Sequence, residues 1–166
     1  MLLRTWLLGF LCICALAAPT LACQKPVKPT APAFEIRTLD GDTLSSEQLY
    51  GHKPVLISLW ATWCGPCRQE APVLNKLYAE YGTKVQFLAI SVDDPNAGSA
   101  VRDFQKSQGI NYPIAHDTKA IYGQRFQADA IPKVVMVDKH GTVVHESVGF
   151  GGEAELTKAF KEAYGL

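Results

Sequence analysis

The tightest constraint in this sequence is Trp63-Cys64-Gly65-Pro66-Cys67, where a cysteine pair stands between two segments of different period. Upstream, Pro54 to Trp60 is an apolar, β-branched run of strand length; downstream, Cys67, Ala71, Leu74, Tyr78 and Tyr81 recur at helical spacing. A buried strand must therefore turn into a helix at the cysteines. The first N–H groups of a helix lack intrahelical partners and its N-terminus carries partial positive charge, so a thiolate at Cys64 is stabilised there. Gly65 allows a close turn, and Pro66 occupies a first-turn position where its missing N–H costs nothing. Cys67 falls one turn after Cys64 on the same side, which brings the two sulfurs within disulfide reach.

That geometry implies redox chemistry. A Cys64 thiolate can attack a partner's disulfide, and Cys67 can resolve the mixed disulfide, leaving a Cys64-Cys67 bridge and a reduced partner. The competing reading is half of a zinc site, which needs two more ligands. No second Cys-x-x-Cys is present, and His52, His116, His140 and His145 are scattered, so no metal site is expected. Haem attachment would need a histidine directly after Cys67, where Arg68 stands. No other cofactor is called for.

The chain has 166 residues, 48% of them hydrophobic, enough for one domain with a real core and an appendage. Lys and Arg number 16 and so do Asp and Glu, which leaves no basic footprint for nucleic acid. The appendage is N-terminal. Arg4, an apolar run from Trp6 to Leu16 and small residues at Ala17, Ala18 and Ala22 read as an export signal over residues 1–22. The run is shorter than the ~20 residues of a membrane span, and Pro19 interrupts its extension. Thr20-Leu21-Ala22-Cys23 resembles the lipobox of bacterial lipoproteins, with Thr20 where Leu is usual; plain cleavage after Ala22 or Ala17 is the alternative. Removing the signal discards Cys12 and Cys14 and leaves Cys23 odd beside Cys64 and Cys67; lipidation of Cys23 accounts for it, an unpaired cysteine being the other reading. Residues 23–32 are proline-rich and are expected to form an extended tether at ~3.1 Å per residue. Residues 33–166 form the folded domain.

Within that domain, Phe34 to Arg37 and Thr43-Leu44 flank an Asp40-Gly41 turn as an N-terminal hairpin, and Ser45 with Gln48 resembles a capping box. Val85 to Val92 is a second buried strand, joined to the first through a helix that Gly82 stops and Pro72 kinks, which argues for parallel neighbours. Asp93 to Asn96 is a turn before a helix closed by Gly109; Tyr112 to Ala115 is a short edge strand, and Asp117 caps a further helix. Lys133 to Asp138 and Thr142 to Val148 pair antiparallel, and Glu153 to Tyr164 is an amphipathic last helix. The expected class is α/β, a central mixed sheet with helices on both faces.

These residues resemble the thioredoxin superfamily and, more narrowly, the TlpA/ResA group of membrane-tethered bacterial thioredoxin-like proteins. Trp60 to Cys67 matches the group's active-site signature, Pro72 its kinking proline, Ile131-Pro132 its cis-proline and Gly149 a glycine that keeps the groove open. Asp94 to Ala130 resembles the group's central insertion. The resemblance implies a thioredoxin-like fold and a thiol-disulfide oxidoreductase of the cell envelope that reduces disulfides in exported proteins, apocytochrome c among them in cytochrome c maturation. Trp63, Gly65, Pro66, Ile131, Pro132 and Gly149 would then line the substrate groove. A membrane thiol-disulfide relay would supply electrons, and the periplasmic domain would hang from lipidated Cys23. Gln24 after Cys23 leans towards the outer membrane, a soluble periplasmic or secreted protein being the alternative.

The sequence departs from plain thioredoxin where that protein has a buried Asp and a partnering Lys; Ser58 and Ala89 stand there. In the TlpA/ResA group a Glu three residues after the second cysteine has a comparable role, and Glu70 occupies that place. It would take the Cys67 proton if burial raises its pKa; a solvated carboxylate favoured by the helix dipole is the other reading. Lys133 replaces the usual Thr and reads as a solvated strand lysine, the other reading being that it favours the thiolate or an acidic partner; Arg68 on the helix reads as solvated, with electrostatic support of the thiolate as its other reading. Trp63 is expected beside Cys64 and Trp60 in the core. Three other functions stay open: a thiol oxidant or isomerase, a thiol peroxidase, whose Thr three residues before the reactive cysteine is Ala61 here, and a non-catalytic metal-binding or redox-sensing module.

Overall fold

The computed structural model describes residues 29–166. The expected signal peptide, Cys23 and the start of the tether lie outside these residues. Five strands form the central sheet in the order β5-β4-β3-β6-β7: β3 (Val55–Trp60), β4 (Gln86–Ser91), β5 (Ile114–His116), β6 (Lys133–Val137) and β7 (Val143–Val148). β3 is parallel to β4 and β4 to β5, whereas β6 runs antiparallel to both β3 and β7. Every residue of β3 is buried, because helices or the N-terminal hairpin cover both of its faces.

Side-chain alternation along β3 separates two cores. Leu56 and Trp60 face α2 (Gly65–Tyr81), α3 (Gly98–Gln108) and α5 (Glu153–Tyr164). Val55, Ile57 and Leu59 face the hairpin of β1 (Glu35–Arg37) and β2 (Thr43–Ser45), and α4 (Ile121–Arg125). Ser45 caps the short α1 (Ser46–Leu49) with the reciprocal Ser-Gln bonds of a capping box. Asp117 caps α4 from upstream, its carboxylate accepting the N–H groups of Ile121, Tyr122 and Gly123. The central insertion is α3-β5-α4. α2 ends before Gly82, which keeps right-handed backbone at φ −60°; a Cβ there would come within 2.7 Å of the Tyr78 ring and carbonyl, so packing rather than a left-handed cap demands the glycine.

The expected tether is shorter at its C-terminal end than residues 23–32. Ala31 N–H donates to Gly141 O and Val143 N–H to Pro29 O, both at 2.8 Å, while the Tyr50 hydroxyl donates to Pro32 O. β7 is an edge strand, and Pro29 to Ala31 supplies partners to its otherwise unpaired start. Among the described residues, no helix is long and apolar enough to cross a membrane.

Candidate active site

Cys64 and Cys67 lie where β3 hands over to α2. Cys64 is the N-cap of α2, its Sγ accepting the Cys67 N–H at 3.2 Å, and Pro66 sits in the first turn. The sulfur therefore takes the place of the side-chain oxygen that usually satisfies a free helix N–H. The pair is joined by a disulfide with Cα atoms 5.3 Å apart. Both cysteines are largely buried, so a partner reaches Cys64 only over the surrounding rim.

Part of that rim comes from residues distant in sequence. The Ile131-Pro132 peptide bond is cis, and the Ile131 carbonyl oxygen lies 3.8 Å from Cys64 Sγ. Gly149 N–H donates to Pro132 O at 2.8 Å; its φ of +81° favours glycine, while a Cβ there would meet nothing within 4 Å. Backbone conformation, not crowding, thus accounts for Gly149. A Cβ at Gly65 would likewise meet nothing, so the fold leaves this position open to a partner. Trp63 is 71% exposed beside Cys64, whereas Trp60 is buried and stacks on Phe104 with ring centroids 4.4 Å apart.

Glu70 is 2% exposed, one turn beyond Cys67. Its Oε2 accepts a hydrogen bond from the Ser58 hydroxyl at 2.9 Å. Burial, only partly offset by the Ser58 bond, pushes its carboxyl up to about 7. Ser58 is therefore more than a lost acid: it holds the carboxylate that approaches from α2. Burial, with the charge of Glu70 added, also pushes the Tyr112 phenol up. Cys67, Ser58, Glu70, Trp60 and Tyr112 line one small pocket behind the disulfide.

Two side chains depart from expectation. Lys133 is buried, on the sheet face opposite Glu70; its Nζ donates to Gln127 O at 3.3 Å and lies 3.4 Å from a Glu146 carboxylate oxygen. A β-strand lysine beside an edge strand can reach across to an acidic neighbour, which the linear sequence does not display. Arg68 places its guanidinium 5.1 Å from the Phe104 ring centroid and donates to Thr62 O, which engages it with the protein and not only with solvent.

Asp93 is a positioning residue that the sequence reading left in a turn. Its carboxylate accepts Thr62 N–H, the Thr62 hydroxyl and the Ser91 hydroxyl, pinning the segment between β3 and Cys64. Its role emerges only with the strand register: Trp60 pairs with Ser91, so Thr62 and Asp93 each lie two residues past a matched pair. Among the described residues no three His, Cys, Asp or Glu side chains are placed to hold a metal ion.

The comparisons with known proteins agree with this geometry. The Redoxin family profile matches residues 26–163. The chain is 33% identical over 135 residues to the thiol-disulfide oxidoreductase ResA of Bacillus thuringiensis (strain Al Hakam), covering 81% of this chain and 73% of the relative. It is 34% identical over 127 residues to the thioredoxin-like protein YneN of Bacillus subtilis (strain 168), covering 76% and 74%. Among solved structures, a thiol:disulfide interchange protein of the thioredoxin family from Chlorobium tepidum TLS superposes with a TM-score of 0.73 at 28% identity, covering 84% of this chain and 99% of that one.

Proposed function

The chain belongs to the Redoxin family and is a thioredoxin-like thiol-disulfide oxidoreductase, and from that premise we propose that it reduces disulfides in exported proteins. The observation that carries this reading is Cys64 Sγ at the N-terminus of α2, accepting the Cys67 N–H. There the helix favours the thiolate, so Cys64 attacks a substrate disulfide and is joined to one substrate sulfur while the other leaves as a thiolate. Cys67 then attacks Cys64, releasing the second substrate thiolate and restoring the enzyme's disulfide. Two electrons pass from the dithiol to the substrate. Glu70 takes the Cys67 proton in the second step, a role its burial and raised pKa support. Trp63, Gly65, Pro66, Ile131, Pro132 and Gly149 form the rim on which the substrate chain lies.

The substrates are exported proteins with cysteine pairs, apocytochrome c among them by the TlpA/ResA resemblance. On this reading residues 1–22 direct export, a lipid on Cys23 anchors the domain in the cell envelope, and a membrane relay is the electron donor. The Gly-Pro pair between the cysteines supports the direction of flow, since it is the pair of thioredoxin. Equilibrating the purified protein against glutathione or dithiothreitol buffers tests it. A potential near thioredoxin's, about −270 mV, is expected; one near that of the oxidant DsbA, about −120 mV, reverses the assignment.

A further inference from the structure

Glu70 borders two cavities that otherwise share no residue. On one side is the small pocket behind the disulfide, with Cys67, Ser58, Trp60 and Tyr112. On the other is an open groove of about 330 Å³ between the end of β7 and the start of α5, lined in part by His145, Ser147, Gly149, Glu155 and Ala159 as well as Glu70, and so reaching the edge of the substrate rim at Gly149. A carboxyl that collects a proton from a buried thiol must afterwards lose it to water. The disulfide pocket, at about 10 Å³, holds roughly one water molecule and does not lead a proton away. The groove is wide, and Glu70, His145, Ser147 and Glu155 give it polar walls.

We propose that the β7-α5 groove is the proton exit of the redox cycle, carrying the proton from Glu70 to bulk solvent. The proposal rests on Glu70 accepting the Cys67 proton. In the resolving step the Cys67 S–H bond breaks and its proton passes to the Glu70 carboxylate. The Cys67 electron pair forms the bond to Cys64, and the Cys64–substrate bond breaks with its pair leaving on the substrate sulfur. Glu70 then releases the proton through the groove past Ser147, His145 and Glu155. When electrons flow back into the disulfide, the proton returns by the same path. Ser58 from β3 bonds Glu70, and the other polar or titratable groups that share a cavity with it are Cys67 from α2, Tyr112 ahead of β5, His145 and Ser147 from β7, and Glu155 from α5.

The route is tested by filling the groove from two walls, with Ala159→Phe on α5 and Ser147→Leu on β7. Reduced protein is mixed with oxidised glutathione and quenched in acid, and the Cys64–glutathione mixed disulfide is counted by mass. Both variants are expected to accumulate this species because resolution slows several-fold, with a larger solvent deuterium isotope effect and an unchanged equilibrium potential. A blocked path alters rate, whereas mere repacking around the site alters potential. Resolution at the wild-type rate in both variants, or slowing matched by a shifted potential and no change in isotope effect, overturns the proposal. Glu70→Gln in the same assay separates the two levels of the argument: wild-type resolution there removes Glu70 as acceptor. Slow resolution in Glu70→Gln alone keeps the acceptor and removes the groove.

Discussion

Glu70 and Lys133 are buried against opposite faces of the central sheet, and they are put to different use. On the α2-α3-α5 face Glu70 is 2% exposed, and Ser58 is the hydrogen-bond partner that holds it. On the opposite face Lys133 is 4% exposed, yet it reaches a carbonyl of the loop before Pro132 and a carboxylate on β7. Burial of charge does not by itself make a reactive group. A charge met by an opposite charge and a carbonyl is settled and ties structure together. One met by a single neutral hydroxyl stays poised between protonation states, and burial brings Glu70 to about 7, where a proton can be both taken and given up. The reactive cysteines lie on the poised face.

Substitutions on the two faces should therefore separate catalysis from stability. The largest effect is expected from Cys64→Ser, which removes the nucleophile and abolishes insulin reduction while leaving the thermal unfolding of the reduced protein close to wild type. Turnover in that variant would move the chemistry off the α2 face altogether.

Glu70→Gln comes next. Resolution by Cys67 should slow about 10²-fold, the lower end of what a positioned general base contributes. The same change should stabilise the protein in alkaline solution. Below pH 4.5 Glu70 is protonated in both folded and unfolded chains and contributes no pH dependence. Between 4.5 and about 7 the unfolded chain has released the proton that the folded chain keeps; the unfolded state binds fewer protons, so stability falls as pH rises through this window and levels off above it. The whole loss is up to roughly 3 kcal/mol, and glutamine, which does not ionise, should recover much of it. Denaturant melts of the oxidised protein at pH 5 and pH 8 would reveal a flat profile in the variant and a sloping one in the wild type.

Lys133→Met probes the other face. Gln127 O loses a donor while half-exposed Glu146 turns to water, so stability should drop by about 1 kcal/mol with the reduction potential unchanged. A potential that moved with stability would couple the two faces and blur the contrast. Trp63→Ala should have the smallest effect on folding, within about 0.5 kcal/mol in denaturant melts, because the ring is 71% exposed. Its cost should appear instead as a higher KM for a protein substrate.

The sequence displays the reactive face better than the settled one. Strand, Cys-x-x-Cys and helix follow from local period and composition, and so do β3, β4 and the last helix. Ser45 with Gln48 and Asp117 are legible as caps because capping acts over a few residues. What stayed hidden depends on contacts between distant segments. Ser58 reads as the loss of an acid until α2 is seen to deliver Glu70 onto it. Lys133 reads as solvated until β7 brings Glu146 beside it, and Asp93 reads as a turn until β3 and β4 are placed in register. The tether is shorter than composition implies, because composition excludes a helix from Pro29 to Pro32 and says nothing of the open edge of β7 that receives this segment.

The account stands most directly on the ionisation of Glu70. Isotope-edited carbonyl NMR of the glutamate side chains in the oxidised protein, titrated from pH 3 to pH 9 and assigned through Glu70→Gln, would give its midpoint. The account predicts a midpoint near 7, so that the carboxyl behind Cys67 can take up a proton and release it near neutrality. A midpoint at the ordinary 4.5 would mean that the carboxylate is solvated or otherwise paired, and would contradict both its role as proton acceptor and the contrast between the two faces.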